Sequence, residues 1–451
     1  MPVQIFMRIV LILFLVSWAV TIQAQQSDAY YQAQYAASLK KLREKKYTEA
    51  VSDFTRLING GYPSIEIFVK RGVCYYQLND LINARSDFDK AEEGNTSTIE
   101  LYEHRGYTKF KLKQFRDAVA DFQKAMTLGA GNYEIYYSLG VSEYEIGLYQ
   151  GAVVYLSKAM MLTRSNPELY NSRGKAYLEL GKTKEAIADF SLAIRLNSKY
   201  VEAFENRGIT YFRSSQYEAA VKDFQTIEQL VEYPNTNVYK LLAEMLFVLK
   251  RYSEAIEYLN KLIEEGVVEK EIFYKRGRAY LEVGNNQSAI RDFNVAFSVG
   301  ESTAQLFLDK ARAYLNMNDT NSAVLELNNA IDLDSRNINA YFNRALIKEE
   351  LKDYEGAMLD YGRVLVIDPD DALAFYNRAN CKAGLDDFGA GISDLDEAIR
   401  IDPKNASYYK QRGNFYYRIK EKDKACLDWR KAAQHGDHKA KFQVEEYCNK
   451  K

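Results

Sequence analysis

The chain has 451 residues, with 60 basic side chains against 62 acidic ones, three histidines and four cysteines. So even a balance gives no electrostatic footing for nucleic acid, and three histidines leave little from which to build a nucleophile, base and orienter or a zinc centre. The 36 tyrosines are an unusual content that any account of the fold must place.

Residues 1–24 read as a secretory signal: Arg8, an apolar run from Ile9 to Val20, then small Ala24 at a plausible cleavage point before Gln25. The run is short for a bilayer span, and no cysteine follows it to accept a lipid. The expectation is a chain exported to the periplasm or secreted, with no transmembrane segment once the signal is removed. An uncleaved anchor is the alternative.

From Tyr31 to Lys439 a 34-residue pattern recurs twelve times. Its anchor is a small residue, Ala50, Ala84, Ala118 and onward to Ala425, with Gly391 as the one glycine. Four residues after each anchor stands a bulky apolar side chain (Phe54, Phe88, Phe122, Leu156 and so on to Trp429), which puts anchor and bulk on one helical face. Twelve residues before the anchor another small residue appears, such as Gly72, Gly106 or Ala243, so two helices can approach closely. Place 4 of the unit is aromatic in eleven units, Phe68 to Tyr409, which accounts for much of the tyrosine as packing. Gly147, Gly181 and Gly284 fall where the first helix should stop, and Gly61, Gly129, Gly266, Gly300 and Gly436 where the second should. Pro369 and Pro403 forbid continuation in the same way. A unit this short cannot bury its apolar face alone and must stack on its neighbours.

Six units run over residues 31–234. One extra residue, Asn235, shifts the phase beside the turn chemistry of Tyr233 and Pro234, and six more units run over residues 236–439 as part of the same array. Residues 440–451 continue helical, with Phe442, Val444 and Tyr447 apolar, and should cap the last unit. Cys426 and Cys448 lie on that last second helix and on the cap, where a disulfide would lock the end in an oxidising compartment; a two-Cys, two-His metal site with His435 and His438 is the weaker reading. Cys74 and Cys381 read as small core residues.

Within the chain two places covary. Place 7 is basic in nine units (Arg71, Arg105, Arg173, Arg207, Arg276, Lys310, Arg344, Arg378, Arg412), and each of those units has an acid at place 23, from Asp87 to Asp428. Where place 7 is Leu139 or Leu242, place 23 becomes Tyr155 or Tyr258. Charge leaves both places together, which predicts an ion pair between the two helices of one unit. The first unit, with Ala37 and Asp53, is the exception.

On these residues the chain resembles the tetratricopeptide repeat family, whose unit is 34 residues of helix, turn and helix. The resemblance covers about nine tenths of the chain. It implies an all-α, right-handed superhelical solenoid of twelve helix-turn-helix repeats with a C-terminal capping helix, whose first helices line a concave groove. In the family, places 2, 5, 9, 12 and 13 face that groove. Place 2 here carries Glu66, Glu100, Glu134, Glu168, Glu202 and Glu271, either simple partners of the helix dipole or a ladder for basic ligands. Place 12 carries Tyr76, Phe110, Tyr144, Phe212 and Phe247. Tyr107, Tyr137, Tyr274, Phe342 and Tyr376, at places 5 or 9, are the candidate partner-binding rings, joined by Arg278 and Arg312 as a candidate carboxylate grip. They either pack on neighbouring repeats or form an adhesive inner wall. The lysine and asparagine clamp by which some relatives hold a C-terminal carboxylate is not matched: Lys410 and Asn414 lie in the last unit, and Asn380 is followed by Gln411.

The expected function is a non-catalytic protein-protein interaction scaffold, without cofactor or metal, binding an extended or helical segment of a partner protein along the groove. A carbohydrate or cell-wall binding module, or an accessory subunit of an envelope enzyme, is the alternative.

Overall fold

The computed structural model describes Leu13 and residues 28–62, 64–232 and 234–448. The signal expected over residues 1–24 lies outside the described residues but for Leu13, as do Tyr233 of the phase-shift turn and the last three residues of the cap. Among the described residues the structure is helical throughout, without a strand. Two compact units divide the chain between Glu232 and Tyr233.

In the first unit, residues 28–43 form α1, followed by α2 (Tyr47–Asn59), α3 (Glu66–Gln77), α4 (Leu81–Glu93), α5 (Ile99–Lys111), α6 (Phe115–Thr127), α7 (Tyr133–Glu145), α8 (Tyr149–Leu162), α9 (Pro167–Glu179), α10 (Thr183–Leu196), α11 (Val201–Arg213) and α12 (Tyr217–Leu230). The second unit holds α13 (Thr236–Val248), α14 (Tyr252–Glu264), α15 (Lys270–Glu282), α16 (Asn286–Ser298), α17 (Ala304–Asn316), α18 (Thr320–Leu333), α19 (Ile338–Glu350), α20 (Tyr354–Ile367), α21 (Ala372–Gly384), α22 (Phe388–Ile401), α23 (Ala406–Arg418), α24 (Lys422–Gln434) and α25 (His438–Gln443). Within each unit, from α2 to α12 and from α13 to α25, each helix packs on the next in sequence. First helices of adjacent repeats also touch: α3 with α5, α5 with α7, α7 with α9 and α9 with α11 in the first unit, and α15 with α17 in the second. Within these stretches the odd-numbered helices therefore lie side by side.

Why the unit closes can be read at one contact. A Cβ built on Gly106 would sit 2.7 Å from the Phe122 ring, and one on Gly72 2.7 Å from Phe88, so glycine lets the second-helix ring lie directly on the first-helix backbone. Ala311 and Leu327, like Ala379 and Leu395, are buried in shared core clusters. All eleven anchor alanines are fully buried.

The turn between the two helices of every repeat carries one residue of positive φ, at Lys45, Asn79, Lys113, Gly147, Gly181, Ser215, Lys250, Gly284, Asn318, Lys352, Asp386 and Lys420. Three of these are the expected glycines. Of the nine others, Asn79, Asn318 and Asp386 tolerate the left-handed conformation, whereas the five lysines and Ser215 show that the hydrogen-bonded turn imposes it even on residues that resist it. After the second helix, Gly61, Gly129, Gly266, Gly300 and Gly436 take positive φ as their spacing predicts. Asp368 and Asp402, just before Pro369 and Pro403, leave the helix at negative φ instead, both at −126°, with Asp368 extended.

All nine covarying pairs are formed inside their own repeats, at 2.6 to 2.8 Å. In the eight arginine pairs Nε and one terminal nitrogen donate to both carboxylate oxygens, as Arg207 does to Asp223 at 2.8 and 2.7 Å. The acids are almost fully buried. In the exceptional first repeat Asp53 takes Lys41 at 2.6 Å, so the cation comes from one turn further along. Lys109, Lys348 and Lys382 occupy that same place and reach Asp121, Asp360 and Asp394 as second partners.

The chain's end differs from a plain cap. Helix α25 runs into a π-helical turn, Val444–Cys448. This wider turn lays Tyr447 against Tyr417 and Trp429, with ring centroids 5.2 and 6.0 Å away. Cys448 is bonded to Cys426 across a Cα separation of 5.7 Å, which disposes of the metal reading for these two thiols. Cys74 and Cys381 are buried free thiols.

Candidate functional site

The first helices supply most of the side chains that line two cavities between repeats. In the first unit α3, α5 and α7 together line a cavity of about 340 Å³, with Tyr76, His104, Tyr107, Phe110, Tyr133 and Tyr137 as its rings and Lys111 and Glu134 as its charged groups. No second helix contributes. The structure thus brings Tyr107 and Tyr137, one repeat apart, to one place. Tyr107 leans an edge on the core ring Phe122 at 5.2 Å, and Tyr137 stacks on Tyr133 at 6.0 Å. Both remain half-exposed. Burial, then the charge of Glu168, pushes the Tyr137 hydroxyl up to about 12. Burial, then Glu103 and Glu134, raises Tyr107 as well. These phenols stay protonated at neutral pH and act as hydrogen-bonding, polarisable surfaces.

In the second unit Tyr274, Arg278 and Arg312 fall together, though not as a free pair of cations. The Tyr274 hydroxyl donates to Asp309 at 2.8 Å, Arg278 lies 3.7 Å from the same carboxylate, and Arg312 is 2.9 Å from Glu282. Gln305 also donates to Asp309, whose carboxyl burial nevertheless raises above its usual range. Asp309 and Arg312 line a second cavity of about 330 Å³ with Gln305, Asn339 and Asn343. Both guanidinium groups are already matched by acids of the chain, a neutralisation the spacing of the arginines did not reveal. Phe342 and Tyr376 sit apart from either cavity's lining, edge-on to Tyr361 at 5.5 Å and tilted on Tyr408 at 5.3 Å.

Place 12 is more structural than its inward position suggests. Phe110, Tyr144, Phe212 and Phe247 each pack on the ring five residues on, Phe115, Tyr149, Tyr217 and Tyr252, at 5.2 to 5.9 Å. The residues nearest the carboxylate clamp are also committed: Lys410 pairs with Asp437 at 2.5 Å, Gln411 donates to Asn380, and Asn414 accepts from Trp429 and Gln443. His104, Tyr133 and Lys111 were not singled out from the sequence. Only their i, i+3 and i, i+4 spacing to Tyr107 and Tyr137 marks them as neighbours.

A face of side-by-side first helices, with its cavities between repeats, defines a helical-repeat protein that offers a surface. The comparisons agree. The family described as tetratricopeptide repeat matches residues 105–160, 206–266, 308–372 and 372–405, and a further TPR repeat family matches 174–215. The chain belongs to the tetratricopeptide repeat family. No curated protein matches it. Among solved structures it is similar to YrrB, "a TPR protein with an unusual peptide-binding site", at 19% identity over 41% of this chain and 95% of that one, with a TM-score of 0.37. A tetratricopeptide repeat protein from Parabacteroides merdae aligns at 24% identity over 58% of this chain and 98% of that one, TM-score 0.36. The Naa15/Naa10 complex bound to HypK-THB aligns at 13% identity over 88% of this chain and 67% of the matched one, TM-score 0.38.

Proposed function

We propose that the chain is a non-catalytic, exported scaffold that binds an extended or helical segment of a partner protein on the face formed by its first helices. The observation that carries this reading is the cavity of about 340 Å³ made by three successive first helices, where half-exposed tyrosines offer large contact area at small entropic cost. Among the described residues no helix is long and apolar enough to cross a membrane. The bond between Cys426 and Cys448 supports an oxidising compartment, and N-terminal sequencing beginning at Gln25 is the check on export.

Site-directed photocrosslinking tests the binding face. A photoreactive residue at position 111 should attach to a protein partner in cells, whereas one at Met161, 80% exposed on α8, should not. Equal labelling from both positions, or adducts only with glycan, would overturn the reading.

A further inference from the structure

The first unit has a charge pattern that packing leaves unused. Of its place-2 glutamates, Glu66 and Glu100 share Lys70, and Glu202 faces Lys175 at 3.7 Å. Among the described residues, no basic side chain lies within ion-pair distance of Glu134 or Glu168. Glu134 is exposed and lines the cavity between α3, α5 and α7. Glu103, four residues before Tyr107, accepts from the Tyr107 hydroxyl at 3.3 Å and from the Asn132 amide at 2.9 Å, and among the described residues it too has no ion-pair partner. The one lysine of the lining, Lys111, already holds its ammonium 4.4 Å from the centre of the Tyr76 ring. The wall therefore holds a cation on the Tyr76 face and, in the same cavity, presents Tyr107 and Tyr137 with Glu134, a carboxylate that has no ion-pair partner among the described residues. Aromatic faces attract ammonium and guanidinium groups, more strongly when water is excluded, and a carboxylate beside them selects charge as well as shape.

We propose that this cavity takes the lysine or arginine side chain of an extended basic segment of a partner protein, its charged head between Glu134 and the rings of Tyr107 and Tyr137. The inference rests on the protein-binding reading and adds the partner's chemistry. An acidic segment would face Glu103 and Glu134 with like charge. An apolar one would leave Glu134 without the counter-charge that a basic head supplies.

The test is fluorescence anisotropy of the full chain with a fluorescein-labelled twelve-residue peptide of alternating lysine and serine, beside versions with norleucine or glutamate in place of lysine. The lysine peptide should bind most tightly and weaken with added salt. Glu134→Gln should reduce its affinity by about three- to five-fold, as expected of one solvent-facing charge contact, while Glu218→Gln, on exposed second-helix surface, should leave it unchanged. Competition by spermidine at the peptide's own affinity would instead assign the cavity to a free polyamine and overturn the proposal. So would equal binding of the norleucine or glutamate peptide, no binding of the lysine peptide, or equal effects of the two substitutions. Should position 111 still crosslink to a protein, those outcomes remove the basic partner and leave the scaffold standing; loss of that crosslink removes both.

Discussion

At the scale of single residues, the buried ion pair inside nine of the repeats was legible because its two members vanish together, leaving Leu139 with Tyr155 and Leu242 with Tyr258. What could not be read was the arginine's third bond. Arg207 also donates to Ser191, Arg173 to Ser157, Arg276 to Asn260 and Arg344 to Asn328, each on the second helix of the preceding repeat. Serine, threonine and asparagine are interchangeable acceptors, so that place shows no single residue type to the eye. The pair consequently ties both helices of one repeat to the repeat before. Arg207→Leu should leave Asp223 buried without its partner and destabilise by about 3 to 5 kcal/mol. Adding Asp223→Tyr should restore much of this, and a double-mutant cycle by urea unfolding that finds no coupling would contradict the pairing. Glu143 makes a second case. It is buried, its Oε2 has no hydrogen-bond partner, and burial raises its pKa. With a raised folded pKa the native state holds the proton more tightly. Its contribution is then most favourable below the unfolded pKa of about 4.3 and is lost as pH rises through the folded value. The matching place in the other leucine-and-tyrosine repeat is Leu246, also buried. Glu143→Leu should therefore stabilise at pH 7 by about 1 to 3 kcal/mol, with a smaller gain near pH 4; thermal melts at both pH values check the sign.

At the scale of elements, helix pairs, their small-residue contact and most of their stops followed from period and glycine spacing. The nine turns that adopt positive φ without glycine did not: six carry lysine or serine, which bear no mark of the conformation their neighbours impose, and three carry asparagine or aspartate, whose tolerance of it is only a weak signal. The place-12 rings were misleading for a related reason. A ring at an inward place looks free until its partner five residues on is known to fold back across the turn. The candidate cavity was half legible: Tyr107 and Tyr137 were chosen on place alone, but the neutralisation of Arg278 and Arg312 depends on Asp309 and Glu282, whose reach only coordinates show. The terminal element yields its own expectation. Because repeats stabilise chiefly their neighbours, Cys448→Ala should loosen α25 and the face of α24 it covers while leaving the first unit's exchange rates unaltered. Hydrogen exchange resolved by peptide should show faster exchange confined to the last repeat and cap; loss of protection throughout would contradict nearest-neighbour stacking.

At the scale of the molecule, the sequence of 34-residue units specifies surface before it specifies chemistry. First helices carry most of the side chains that line the cavities between repeats, so function resides in which of those remain uncommitted. Glu134 meets that condition in the first unit, exposed on a cavity that Tyr107, Tyr137 and Lys111 also line. In the second, most of the corresponding charge is satisfied within the chain. The central claim is that partners are bound on the first helices. It is tested most directly by hydrogen exchange of the full chain with and without a crosslink-identified partner. The account predicts new protection in α3, α5 and α7, with α4, α6 and α8 unchanged; protection confined to those second helices would contradict it.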